Sequence, residues 1–538
     1  MDDDKTSRIQ KCASCNGELL FNEKTVRHEN NWYHSKCFTP IPKYTKVKKP
    51  PKLPKRTQKP KRIDPYLIVL TGLIFAVLFT TAYFMFSTLT LISISAAAVV
   101  IFIQLFSSGP LETKYKYKRR IPSFFSLFLM ISPFVFGTLV AIDGYSLWQS
   151  ISKSILLWGL TMTFWSTMLF IPLSVYSKYK EDNQKESKYF PSISIIIPAY
   201  NEEKIIANTI EGLLSEDYPE KEIVMVNDGS TDKTLEVANK YKNQIKILSK
   251  SNGGKATAMN YALNYCSGEI IVVVDADTII GVGSLKELVQ GFQSEKVAAI
   301  AGNIKIRNVS NWITGCQSLE YIASIQVIRR VFDYFGAIPI VPGALGAFRK
   351  SALMASGVYD KSTIVEDFDC TLKVAKAGYI VQGTVKAIAY TEAPNTIRDF
   401  IKQRKRWYRG NLQVYKRHID ILRNPRFGFL QRLAFPFMLL SAVIMPIVGV
   451  LVLASTILTA LQGEIIFVVQ TIVFFTCLQF LVSLLALRID GESPKLAALS
   501  IFSVFGYKQL LDFLLIRAIF ETLFKRKATW TSAKRIGI

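Results

Sequence analysis

The sequence predicts an α/β domain with a mixed, mainly parallel sheet, embedded in a multi-span helical membrane protein and preceded by a small Cys/His module. Three observations predict it. Between residues 190 and 395, short apolar runs alternate with helix-length segments, the rhythm of right-handed βαβ units. Seven apolar stretches flank that region in two blocks, each near the roughly 20 residues that a bilayer crossing requires. Half of the 538 residues are hydrophobic, an unusual balance for a soluble chain.

Residues 1–40 contain Cys12-x2-Cys15, then eighteen residues, then His34-x2-Cys37. That is the spacing of a tetrahedral zinc site. Trp32-Tyr33-His34 and Cys37-Phe38 resemble the first half of a LIM domain, and the second set of ligands is absent. His28 is the alternative to His34, at a poorer distance from Cys37. Zinc would supply most of the folding energy of so short a segment, and its expected partner is another protein. Residues 41–64 form a Pro- and Lys-rich tether, extended and solvated. The remaining cysteines, Cys266, Cys316, Cys370 and Cys477, are scattered singly, which excludes a secreted disulfide framework. The N-terminus shows no early apolar run, so no cleavable signal peptide is expected.

Residues 65–178 hold four expected spans, at 66–86, 89–106, 121–142 and 155–176. Residues 431–524 hold about three more, at 433–461, 465–487 and 496–524. The last contains Gly506, Lys508, Asp512 and Arg517, and is expected to be broken or re-entrant and to line a polar path. A basic tail, 525–538, follows. The net charge of +25 is concentrated beside the spans: ten Lys or Arg and no acid lie between residues 43 and 62. Such flanks stay cytoplasmic and bind anionic headgroups. The partner they imply is the lipid bilayer of the cell membrane, not nucleic acid, with the N-terminus and the α/β domain on the cytoplasmic side.

Within 190–395, residues 192–198, 222–226, 244–248 and 270–274 read as strands, and 202–215 and 254–265 as helices. Polar motifs fall where strands end, the usual place for ligands in such sheets. Ala199-Tyr200-Asn201-Glu202 follows the first strand and Asp228-Gly229-Ser230 the second. Gly253-Gly254-Lys255 opens a helix, where backbone N–H groups and a lysine suit phosphate. Asp275-Ala276-Asp277 ends the fourth strand as a hard-oxygen site for Mg²⁺ or Mn²⁺. Glu366-Asp367-Phe368-Asp369 is an acidic helix start. Gln403, Arg406 and Trp407 are three and four residues apart on an amphipathic helix, Thr396 to about Lys416, and so share a face. Arg404, Lys405 and Arg409 suit a membrane-surface helix within 396–430.

In this order, between apolar blocks, these motifs resemble the processive branch of glycosyltransferase family 2, which makes cellulose, chitin, hyaluronan and poly-N-acetylglucosamine. The resemblance covers about 190–425 by motif and the later membrane block by organisation. It implies a GT-A-like, inverting transferase that polymerises a sugar, N-acetylglucosamine or another hexose, from a UDP-sugar and passes the polysaccharide across the membrane. By it, Ala199, Tyr200, Glu202, Asp228, Lys255, Asp275 and Arg406 contact the nucleotide sugar, Asp228 through the uracil. Asp275 and Asp277 hold the metal, and Glu366 and Asp367 are catalytic, with Asp367 the general base and Asp369 the second candidate. Gln403, Trp407 and Gly343 meet the acceptor. The four spans before the domain depart from the two often found in this family. A non-processive transferase acting on a polyprenyl phosphate shares the first motifs but not usually Q-x-x-R-W.

Overall fold

The structure, a computed structural model, describes residues 25–28, 31–34, 62–85, 95, 123–184, 187 and 189–524. It divides into two units, 1–52 and 53–538. In the first, Thr25–His28 and Asn31–His34 pair as an antiparallel hairpin, with Thr25 opposite His34. His34 therefore ends a strand. Cys12, Cys15, Cys37 and the expected zinc centre lie outside the described residues, as do most of the tether, the expected span at 89–106 and the basic tail.

In the second unit an eight-stranded sheet forms from β1 (Ile193–Ala199), β2 (Lys221–Asp228), β3 (Lys246–Lys250), β4 (Ile270–Val273), β5 (Ile279–Ile280), β6 (Val297–Ile306), β7 (Gly346–Arg349) and β8 (Ile380–Thr391). Its order is β3-β2-β1-β4-β7-β6-β8-β5. The first four strands in that order run parallel. β7 then lies antiparallel between β4 and β6, and β5 caps the far edge antiparallel to β8. Strands β1 and β4 are buried along their whole length, which is why they read as continuous apolar runs rather than alternating ones. The helix expected from residue 202 begins only at Ile206. Residues 200–205 are instead a turn whose Asn201 sits at φ 56°.

The membrane block contains α1 (Pro65–Met85), α2 (Ser123–Trp148) and α3 (Ile151–Asp182). The α/β domain adds α4 (Lys255–Leu263), α5 (Trp312–Ala323), α6 (Glu366–Lys376) and α7 (Ile397–Arg417). The chain closes with α8 (Phe435–Leu461), α9 (Ile465–Asp490) and α10 (Tyr507–Leu523). Among the described residues, α1, α3, α8 and α9 are long and apolar enough to cross a membrane. The segment Pro494–Val504 and α10 qualify as one further span bent by 53°. Gly506, at φ 90°, sits at the bend, a conformation open to glycine at little cost.

Buried polar contacts fix the domain on the membrane block. Asp490, at the end of α9, accepts from Asn303 of β6 at 3.0 Å and from Gln326 at 2.5 Å, and pairs with Lys305 at 3.0 Å. Arg330 pairs with Glu181 of α3 at 2.8 Å. Gln326 lies in a π-helical turn, Ser324–Arg329, that continues α5.

Candidate active site

The ends of β1, β2 and β4 bring the first three motifs to one rim. The Asn201 N–H donates to Ser230 Oγ at 3.0 Å, and Asn201 Oδ1 accepts from the Thr231 N–H at 2.8 Å. The loops after β1 and β2 are thus stapled together. Ala199 is buried at the end of β1, and Tyr200 and Glu202 are half-buried in the loop that follows. Asp228 is buried. Its Oδ1 pairs with Lys250 Nζ at 2.7 Å, and its Oδ2 accepts the Gly254 N–H at 2.8 Å. Asp228 therefore braces the glycine loop that delivers Lys255. Lys250 was not singled out by the sequence, because nothing in its local pattern distinguishes it from other strand-end lysines.

Lys255 stands at the first position of α4 and gathers the acidic residues. Its Nζ is 2.5 Å from Asp275 Oδ1 and 3.2 Å from Glu366 Oε1. Burial alone lowers the Lys255 pKa, but Asp275, Glu366 and Asp367 outweigh it and hold the ammonium charged. Gly343 lies against this cluster: a Cβ there would stand 2.5 Å from Lys255 Nζ and 3.4 Å from Asp275 Oδ1. Asp277 is buried and accepts from the Thr278 hydroxyl at 3.2 Å.

Glu366 and Asp367 open α6. Burial, reinforced by Glu366 and opposed by Lys255, pushes the Asp367 carboxyl up to about 6. Asp369, two residues on, is different. It is fully buried and pairs with Lys373 at 2.9 Å, Arg417 at 3.0 Å and His418 at 3.0 Å. Burial raises its pKa, but His418, Lys373 and Arg417 together hold it well below the usual carboxylate range. Its charge is committed to Lys373, Arg417 and the His418 ring, so of the two carboxylates Asp367 is the one poised to take a proton near neutral pH.

Helix α7 is capped by Thr396, whose Oγ accepts the Asp399 N–H at 3.1 Å. Gln403, Arg406 and Trp407 are half-buried on it, and the Gln403 Oε1 is buried without a hydrogen-bond partner. The Trp407 ring lies 6.5 Å from Tyr321 of α5. Arg404 and Arg409, whose charge suits a membrane-surface helix, turn inward. Both are buried. Arg404 makes a two-pronged pair with Glu320 of α5, at 2.8 and 2.9 Å, and lies between Phe400 and Trp407, 4.9 and 4.8 Å from their ring centres. Arg409 and Lys405 pair with Glu521 of α10 at 3.5 and 2.9 Å. The acids that neutralise them are remote in sequence, so the local pattern showed only the charge.

Among the described residues no group of three or more His, Cys, Asp or Glu forms a ready-made metal cage. A divalent ion that shares one or two carboxylates with substrate phosphates requires none.

A sheet of this topology, with paired carboxylates and a lysine at its rim, fits a glycosyltransferase, and the comparisons with known proteins show one. The family model described as "Glycosyl transferase family 2" matches residues 194–357. A poly-beta-1,6-N-acetyl-D-glucosamine synthase of Staphylococcus epidermidis is 34% identical over 238 residues, covering 44% of this chain and 58% of that protein. Another of the same name, from S. epidermidis strain RP62A, is 29% identical over 374 residues, covering 66% and 90%. A third, from Staphylococcus aureus strain COL, is 30% identical over 277 residues, covering 48% and 67%. The chain thus spans 58% of the length of the first of these relatives. The chain belongs to glycosyl transferase family 2.

Proposed function

We propose that this protein is a membrane-integrated, inverting, processive glycosyltransferase that polymerises N-acetylglucosamine from its UDP-sugar and passes the chain across the membrane. The observation that carries it is the meeting of Asp367, Lys255, Asp275 and Gly343 in one cluster. The choice of sugar rests on the named relatives, one matched over 90% of its length. The catalytic domain and N-terminus face the cytosol, where UDP-sugars are found.

Asp367 takes the proton from the acceptor hydroxyl, the freed oxygen bonds to the anomeric carbon on the face opposite the nucleotide, and the bond to UDP breaks. One base suffices, because the diphosphate leaves without a protonating acid. Lys255 offers its ammonium to the diphosphate, and Arg406 contributes a second cation. Glu366 holds Lys255 and keeps Asp367 basic. Asp228 sets the glycine loop and offers its remaining acceptor capacity to the uracil, beside Ala199, Tyr200 and Glu202. Gly343 leaves room for the acceptor sugar, and Trp407 and Gln403 form its stacking and hydrogen-bonding surface. Asp275 and Asp277 fit Mg²⁺ or Mn²⁺: both are hard-oxygen donors on one turn, and Asp275 already neutralises a cation. When bound, the ion would neutralise charge on the departing diphosphate. Cys12, Cys15, His34 and Cys37 offer a thiolate and imidazole donor set that suits structural Zn²⁺.

Donor choice tests the reading. Membranes carrying the protein, given each of a panel of radiolabelled UDP-sugars, should build acid-precipitable polymer from UDP-N-acetylglucosamine and not from UDP-glucose. The polymer should be degraded by a hexosaminidase acting on β-linked N-acetylglucosamine. Incorporation of another sugar alone would overturn the assignment.

A further inference from the structure

The segment that leads into Asp367 is strained and is held from several sides. Residues 357–365 join the short helix Lys350–Ala355 to α6. Within them Val358 sits at φ 50°, a left-handed conformation that is costly for a β-branched side chain. Such strain persists only where the surroundings over-determine it. Here they do. From α4, Asn260 grips the Tyr359 backbone with both ends of its amide. Its Nδ2 donates to the Tyr359 carbonyl at 2.7 Å, and its Oδ1 accepts the Tyr359 N–H at 3.1 Å. From α6, Lys373 Nζ donates to the Val358 carbonyl at 3.3 Å. From α7, the Arg417 guanidinium pairs with Asp360 at 2.9 Å and donates to Ser362 Oγ at 2.6 Å.

The helices that supply these grips also carry the donor and acceptor residues. Asn260 lies five residues after Lys255 on α4, and Arg417 is the last residue of α7, ten after Trp407. Arg417 also pairs with Asp369 at 3.0 Å, so one guanidinium spans the segment and the first turn of α6. The Tyr359 ring is buried, 6.2 Å from Phe348 of β7. Its hydroxyl has no hydrogen-bond partner among the described residues, so the hydrogen bonds that fix Tyr359 are those of its backbone.

We propose that Asn260 and Arg417 are positioning residues for the transfer step. By clamping residues 358–365 from the donor-side and acceptor-side helices, they hold the Asp367 carboxylate where the acceptor hydroxyl arrives. Asp369 is then the anchor of that clamp, since it fixes Arg417, and not a second base. This rests on the transferase reading above, with Asp367 as the base.

N260A, R417Q and the double variant of the full-length protein in nanodiscs test it. Alanine is the best residue for a helix interior, so α4 itself is not weakened. Asp369 keeps Lys373 and His418 when Arg417 is replaced. UDP calorimetry counts intact donor sites, and UDP release from UDP-N-acetylglucosamine divided by that count gives turnover per site. Each single variant should lose about tenfold in kcat per site, with donor KM and UDP affinity unchanged. The double variant should lose no more than the larger single loss, because both grips act on one segment. Unchanged kcat per site in either single variant would overturn the proposal, since the residue would then serve folding alone. Losses that multiply in the double variant, or a rise in donor KM that accompanies the fall in kcat, would overturn it too. Wild-type turnover in D367N would instead overturn the base assignment on which the proposal rests.

Discussion

Gly410 of α7 lies directly against Val365, the residue before the acidic pair. A Cβ at 410 would stand 2.7 and 2.8 Å from the two γ carbons of Val365 and 3.0 Å from Ile364 Cγ1. Glycine inside a helix costs about 1 kcal/mol relative to alanine, and here the cost permits close approach. The helix that carries Gln403, Arg406 and Trp407 is thereby seated on the segment that carries Asp367. Gly410→Ala should push acceptor platform and base apart by a few tenths of an ångström. Turnover should fall by about tenfold with UDP affinity unchanged. Steady-state kinetics beside UDP calorimetry check this; an equal loss of UDP binding would show general misfolding instead.

Asp367→Asn should reduce transfer by about 10²–10⁴-fold and spare UDP binding. The wild-type kcat/KM profile should fall on the acid side near pH 6, where Asp367 gains its proton. Stability should move the other way. The folded pKa lies above the ordinary value of 3.8, so the protonated group favours folding below that value, and the advantage is lost as pH rises through 6. Asp367→Asn should therefore be more stable than wild type at pH 7.5, read as a higher melting temperature, and the difference should shrink as pH falls toward 4.

Asp277→Ala should abolish the metal dependence of UDP binding. In the wild-type protein, UDP affinity should fall on adding EDTA and return with Mn²⁺. Equal affinity with EDTA and with Mn²⁺ would refute the assignment of Asp275 and Asp277.

Glu320→Gln should strand Arg404 as a buried cation without its anion. The expected loss is about 3–5 kcal/mol of stability, read as a lowered melting temperature in detergent. E320L/R404M should recover most of it, since removing both charges leaves none unpaired.

The full-length protein should contain one zinc per chain, lost in C12S/C15S. Metal analysis by mass spectrometry decides it, and a zinc-free folded sample would rule out the site. Removing residues 1–40 should leave sugar transfer intact, because the Pro- and Lys-rich sequence at 41–64 is expected to act as a tether between module and enzyme.

Asp228 and Asp275 were legible in the sequence as strand-end carboxylates, because the strands before them are buried apolar runs. β1, β2 and β4 lie near their expected positions. β6 was missed: its small and polar residues, VAAIAGNIKI, lack a strong strand signature, though all ten are buried. The antiparallel insertion of β7 was missed too, since it depends on long-range pairing with β4 and β6. The choice between Asp367 and Asp369 could not be made from spacing. It turns on His418 and Arg417, which only the fold brings to Asp369. The same applies to Arg404, whose partner Glu320 is 84 residues away.

In the proposed reaction one site elongates one chain repeatedly without releasing it. The most direct measurement is a time course of product size from purified protein in nanodiscs, with excess enzyme over any primer and labelled UDP-N-acetylglucosamine. Long polymer should appear at the earliest times, before most of the donor is consumed, with one UDP released per sugar added. A single sugar transferred to a lipid phosphate, with no larger product at any time, would contradict it.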